Sequence, residues 1–207
     1  MSIKPEHSRA PEPCIEQASL TELFASRREQ LRRMTELRMD RRISGRCDAS
    51  DVLQEAFFEA SRRYGDYCRA PSMSPFIWLR FLVCQQLTIF HRRHLGVQAR
   101  DAGREIPLRP KNTLEANSES LAEQLLSCLS TPSAAAIRAE RQDDIRRALD
   151  NLSALDREML ALRHFEQLSN VEIAEVLDIQ PRAASARYLR AIGRLREELD
   201  RIPGFFD

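Results

Sequence analysis

From Leu20 to about His94, and again from Thr131 to about Asp200, apolar residues recur at helical spacings of three and four, and nowhere do they alternate over the length of a strand. That periodicity confines the chain to an all-α fold. Leu20, Leu23, Phe24, Leu31, Met34 and Leu37 mark a first helix, with Arg27 in the same register, and Ser44-Gly45 breaks the pattern. Val52, Leu53, Ala56, Phe57 and Ala60 form the apolar stripe of a second helix, with Asp48 or Ser50 as its cap. The segment from Gly65 to Pro75 carries two prolines and is expected to be the loop that ends it. Phe76 to about His94 is apolar nearly all round, which predicts a third helix at the centre of its domain.

Between Gly96 and Ser130 the character changes: Gly103, Pro107, Pro110, Asn112 and Asn117 and several serines leave room only for a short helix at Leu121 to Leu129. A stretch of this length separates two domains. Helical signals resume at Thr131-Pro132, a cap followed by proline at the first helical position, and continue through Ile145, Ala148, Leu149 and Leu152. Further helices are expected over Ala154 to Phe165, Ser169 to Leu177, and Pro181 to about Asp200. The expected organisation is a disordered tail (1–19), a helical domain (20–95), a flexible linker (96–130) and a second small helical domain (131–207).

Lys and Arg number 32 and Asp and Glu 31, a net charge of +1, which excludes a strongly basic coat protein or an acidic tail protein. Only Lys4 and Lys111 among the cations are lysines. Arginine suits bidentate contact with phosphates and guanine edges, although a GC-rich genome produces the same bias. No run reaches the roughly 20 apolar residues that span a bilayer, and the amino terminus has no apolar signal-peptide centre, so no membrane insertion and a cytoplasmic location are expected. Five widely spaced cysteines without a C-x-x-C pair fit reduced thiols.

Residues 168–190, LSNVEIAEVLDIQPRAASARYLR, have the layout of a helix-turn-helix. Ile173, Ala174 and Leu177 of the first helix are expected inward, Ile179 of the turn points back to the core, and Ala184 and Leu189 of the second helix face in. Arg182, Ala183, Ser185, Ala186, Arg187 and Arg190 then lie on the face that enters a major groove. Arg187 is the candidate for reading guanine through O6 and N7, with Arg182 and Arg190 placed for phosphates or flanking bases. The plainer alternative is a helical hairpin with a solvated basic face.

The segment LDNLSALDREMLALRHFEQLSNVEIAEVLDIQPRAASARYLRAIGRLREEL resembles region 4 of bacterial sigma-70-type transcription initiation factors. DASDVLQEAFFEASRRYGDY, followed by SPFIWLRFLVCQQLTIFHRRH, resembles their region 2. The two occur in order, over roughly Leu20 to Leu199, without room for the further domains of primary sigma factors; this is the layout of the extracytoplasmic-function (ECF) group.

The resemblance implies a non-enzymatic factor, without a cofactor, that binds core RNA polymerase and promoter DNA. It implies recognition of an upstream (−35) element by the second domain and opening of a downstream (−10) element by the first. An anti-sigma factor that masks the binding faces is a further implied partner. Asp48, Asp51, Gln54, Glu55 and Phe58 match the surface that grips the polymerase clamp; residues 48–59 hold four acids and no base, which suits a basic partner or a solvated face alike. On the −10 side the implied residues are Tyr67 and Arg69 in the base-capturing loop, Phe76 and Trp78 for stacking, and Arg80, Arg92 and Arg93 for phosphates. Trp78, among Phe76, Ile77, Leu79 and Phe81, reads equally as core. Ser185 and Ala186 stand where related sequences often carry a basic and a small polar residue.

Eight arginines against three acids over residues 27–46 form either a stripe for a phosphate backbone or a solvated face with i,i+4 pairs. Two other classes compete. Cys84, His91 and His94 have helical spacing suited to a metal but need a fourth ligand, and HRRH reads more naturally as a basic helix end. A stand-alone helix-turn-helix regulator shares the DNA chemistry without needing polymerase.

Overall fold

The computed structural model describes residues 17–40, 42–43, 47–95, 116–129, 135–203 and 205. Residues 1–16 of the expected tail (1–19), the Thr131-Pro132 helix start and residues 96–115 of the expected linker lie outside the described residues, while Gln17, Ala18 and Ser19, expected in the tail, belong to the first helix. The described residues form eight α-helices in order: α1 (Gln17–Arg38), α2 (Ala49–Arg69), α3 (Pro75–Leu95), α4 (Ser118–Leu129), α5 (Ala135–Asp150), α6 (Ala154–Leu160), α7 (Asn170–Leu177) and α8 (Pro181–Asp200). The described residues contain no strand, so the fold is all-α.

Local chemistry sets several boundaries. Asp48 caps α2: its carboxylate accepts from the amides of Ser50 (2.7 Å) and Asp51 (3.1 Å), and the Asp51 carboxylate accepts from the Asp48 amide (2.8 Å). α2 does not stop at Gly65 as expected but runs on to Arg69. A helical glycine costs only about 1 kcal/mol against alanine, and the turn beyond it is anchored by buried Tyr64 and half-buried Tyr67. The connecting loop shrinks to residues 70–74. α4 realises the short helix expected over 121–129 and starts three residues earlier, because the Asn117 side chain accepts from the Glu119 amide (2.9 Å). At the end of α5, Arg157 reaches back to donate to the carbonyls of Leu149 (3.1 Å), Asp150 (3.3 Å) and Leu152 (2.9 Å).

α3 is the central rod of the first half. Leu79, Leu82, Val83 and Leu87 are buried to 1% exposure or less, each contributing roughly 1.5–3 kcal/mol, and α1 and α2 pack against them. The rings of Phe24 on α1 and Phe57 on α2 meet edge to face at 5.0 Å. α4 packs on α5 and on α1, and the Asn117 amide donates to the Leu37 carbonyl at the end of α1 (3.1 Å). In the second half α6 and α7 both pack on α8. α6 continues into a π turn over Ala161–Phe165, where the Glu166 amide reaches the Ala161 carbonyl (3.0 Å). Gln167 follows in the left-handed region (φ 55°), and the chain enters α7.

Candidate nucleic-acid interface

Ser169 opens α7 with a reciprocal cap: its hydroxyl accepts from the Glu172 amide (3.2 Å), and the Glu172 carboxylate accepts from the Ser169 amide (2.7 Å). Ile173, Ala174 and Val176 are buried; Leu177 and Ile179 are half-buried against the same core. Asp178 ends α7 in the left-handed region (φ 53°), which a short polar side chain tolerates, and the Ile179 amide returns to the Ala174 carbonyl (3.0 Å). Pro181 then starts α8 at a position whose amide would have no intrahelical partner.

Ala184, Ala191 and Leu195 form the inward stripe of α8. Leu189, expected inward, is 68% exposed. It stands five residues after Ala184, about 140° round the helix, and the register set by 184, 191 and 195 turns it to solvent. On the outer face Arg182, Ala186 and Arg190 are exposed, while Ala183, Ser185 and Arg187 are half-buried. The two helices and their turn are therefore assembled, with all six of these residues outside the buried stripe of α8. Its crossing is held by Asn170 on α7, which donates to the Ser185 hydroxyl (2.8 Å), and by the ion pair of Arg194 with buried Asp156 on α6. Tyr188 hydrogen-bonds His164 (3.0 Å), whose pKa is lowered by partial burial and by Arg163.

On α2, Asp51, Gln54, Glu55 and Phe58 share one exposed face, with exposed Asp48 at its amino end; Phe58 is 49% exposed, unusual for so large a ring. The −10 candidates are divided. Arg92 and Arg93 are exposed at the carboxyl end of α3, and exposed Arg69 pairs with Asp66 (2.8 Å). Tyr67 stacks on Trp78 with ring centroids 4.4 Å apart. Phe76, Trp78 and Arg80 are buried, at 5%, 6% and 3% exposure, so this conformation presents none of the three to DNA. Among the arginines of residues 27–46, Arg32 makes pairs along its own helix with Glu29 (3.1 Å) and Glu36 (2.6 Å), Arg42 pairs with Asp40 (2.6 Å), and Arg38 is buried; Arg41 and Arg46 lie outside the described residues.

Arg80 is buried because the second half covers it. Its Nε donates to Glu166 Oε2 (2.6 Å) and its Nη2 to Glu166 Oε1 (3.2 Å), with Glu158 at 3.5 Å. Arg38 on α1 pairs with both Glu158 and Glu166, the latter at 2.5 Å. The Ala116 amide adds a hydrogen bond to Glu158 (3.2 Å), and the Gln30 side chain donates to the Glu166 carbonyl. Burial pushes the Glu166 carboxyl up, but Arg38 and Arg80 outweigh it and hold it below the ordinary value, while both guanidinium pKa values are raised by the facing carboxylates against their own desolvation. A third carboxylate, Glu175 on α7, takes hydrogen bonds from the backbone amide and the hydroxyl (2.8 Å) of Ser74, immediately before α3.

The roles of Glu158, Glu166 and Glu175 were not anticipated from the sequence. The usable signal was Arg80 itself: a guanidinium in an otherwise apolar helix must find a buried carboxylate. His91 is half-buried, with its pKa lowered chiefly by burial, and its Nε2 accepts from the Asp40 amide (3.2 Å); Cys84 is buried against the Met34 sulfur (3.8 Å). Among the described residues no His, Cys, Asp and Glu cluster has the arrangement of a metal site, and no helix is long and apolar enough to cross a membrane.

No curated protein matches the chain. A solved structure described as "Structure of CnrH in complex with the cytosolic domain of CnrY" is similar at 18% identity, over 89% of this chain and 90% of that one, with a TM-score of 0.49. Residues 142–195, from within α5 to within α8 and including the whole helix-turn-helix, match the family model described as "Sigma-70, region 4".

Proposed function

We propose that the chain is a sigma factor of the ECF kind, which joins core RNA polymerase, recognises an upstream (−35) element through α8 and promotes opening of a downstream (−10) element through its first half. The observation that carries the reading is the outer face of α8: Arg182, Ala186 and Arg190 stand exposed on the second helix of a helix-turn-helix, inside a segment that matches sigma-70 region 4. Arg187 supplies direct readout of a guanine, and its exposed neighbours supply backbone contacts that fix register. The face of α2 with Asp51, Gln54, Glu55 and Phe58 supports a polymerase contact, since acids around an exposed aromatic suit a basic, partly apolar partner. Tyr67, Arg69, Phe76, Trp78, Arg80, Arg92 and Arg93 serve the −10 element; Phe76, Trp78 and Arg80 are buried and do so only after a rearrangement, which for Arg80 is release from Glu166. No hydrolysis is required of this chain, because capturing unstacked bases offsets the few kcal/mol that unstacking costs.

Reconstitution tests the reading. Purified chain, core polymerase and promoter DNA should give specific initiation that neither protein gives alone. A chain that binds a duplex operator by itself and forms no complex with core polymerase is instead a stand-alone helix-turn-helix regulator.

A further inference from the structure

Three carboxylates of the second half lie against hydrogen-bond donors of the first in the geometry of phosphate recognition. Glu166 spans the fork of Arg80 with one oxygen on Nε and one on Nη2, the bidentate arrangement a guanidinium makes with a phosphodiester. Glu158 and Glu166 both face Arg38, whose side chain has no exposed surface. Glu175 receives a backbone N–H and a hydroxyl from Ser74 where α3 begins, which is how a helix amino end holds an anion. α3 therefore carries two anion-binding points, at Ser74 and Arg80, and α1 carries a third at Arg38, each occupied by a carboxylate from α6, the turn after it, or α7.

We propose that Arg38, Arg80 and the Ser74 end of α3 form a binding site for the phosphodiester backbone of single-stranded DNA, which Glu158, Glu166 and Glu175 occupy as phosphate stand-ins while the two halves are closed on each other. The proposal rests on the sigma-factor reading for its biological setting. Closure costs the desolvation of two arginines and two glutamates, which pairing offsets only while all four groups keep their partners. Opening leaves a doubly cationic face on the half that carries Trp78 and Tyr67. DNA and the second half compete for the same guanidiniums, so the free chain is held from binding DNA indiscriminately.

The test uses the full chain and a fluorescein-labelled single strand of about 20 nucleotides of mixed sequence, titrated at several salt concentrations. Glu158→Gln/Glu166→Gln should raise affinity about tenfold or more and steepen the slope of log K against log salt by about 1.4, as expected for two extra phosphate contacts on a single strand. The radius of gyration from X-ray scattering should grow while helical circular dichroism stays constant. Adding Arg80→Gln should remove the gain. Glu175→Gln, which leaves no buried guanidinium unpaired, should shift affinity the same way by a smaller factor, and it decides the matter if the double variant loses helicity. Unchanged affinity, expansion without tighter binding, or a gain that survives Arg80→Gln overturns the proposal. None of these readouts needs polymerase: a chain that shows the gains but never joins core polymerase keeps the site and loses the sigma-factor reading, and a chain that joins core without the gains does the reverse.

Discussion

The rings of Tyr67 and Trp78 lie 4.4 Å apart and 19° from parallel, and the Tyr67 hydroxyl donates to the Met73 carbonyl (2.8 Å). Tyr67 thus joins the end of α2 to α3 and holds the intervening loop in place. Tyr67→Ala should lower strand opening, measured by permanganate reactivity of the opened thymines, while duplex binding at the upstream element stays unchanged. Tyr67→Phe removes only the hydroxyl contact and should retain most of the opening, because base stacking is carried by the ring and is worth about 1–3 kcal/mol per base. Equal loss in both variants would assign the effect to loop position rather than stacking.

Helix identity was legible because each helix announces itself locally. The Ser169 cap, Asp178 break and Pro181 start place α7 and α8 as expected from the residue pattern, and the cap at Asp48 does the same for α2. Where several residues compete over one face the pattern fails. Gly65 looks like a breaker but sits in a helix whose next turn is anchored by Tyr64 and Tyr67, and Leu189 looks like core until the 184, 191 and 195 stripe fixes the register. The seam was illegible for a different reason. Glu158 and Glu166 lie 120 and 128 residues from Arg38, and nothing in local spacing links charges so far apart. Their pairing turns Arg80 from an expected surface cation into a buried one.

Arg187→Ala should cost about 1–3 kcal/mol of binding and relax discrimination at one base pair. Systematic base substitution across the upstream element, with affinities measured for wild type and variant, checks this. Arg190 is exposed and donates back to the Ala186 carbonyl (3.3 Å) from a later turn of the same helix, so Arg190→Ala should weaken all sequences alike. A uniform loss from Arg187→Ala would make it a phosphate contact.

The seam carries a sign for its pH dependence. Glu166 faces Arg38 on α1, Arg80 on α3 and Glu158 on α6, and its folded pKa lies below the ordinary 4.5. A depressed carboxyl contributes stability that is complete above its unfolded pKa and is lost as pH falls through the folded one, so closure should persist from neutral pH down to about 4.5 and fail below it. His91, facing Asp40 and Arg42, is also depressed below 6.5, and protonation there removes the acceptor for the Asp40 amide. A first, local loosening after α1 should therefore set in as pH drops below 6.5, ahead of the separation of the halves. Small-angle scattering reads the second event and amide exchange at Asp40 the first. Expansion that begins above pH 6 would contradict the assignment to Glu166.

Asp48 has two roles that one pair of substitutions separates. Its carboxylate caps α2 through the Ser50 and Asp51 amides, and it also contributes charge at the end of the exposed acidic face. Asp48→Ala removes both, and should lower stability by about 1 kcal/mol as well as weaken the complex with core polymerase. Asp48→Asn keeps an oxygen for the cap, so its melting temperature should stay near that of the wild type while polymerase affinity still falls. Phe58→Ala, on a half-exposed ring, should change stability by no more than about 0.5 kcal/mol and yet reduce the polymerase complex strongly, because an exposed aromatic surrounded by acids is where binding energy concentrates. Thermal melts followed by circular dichroism and titration of labelled chain with core polymerase give the two readouts. Wild-type polymerase affinity in both Asp48→Asn and Phe58→Ala would remove this face of α2 from the interface.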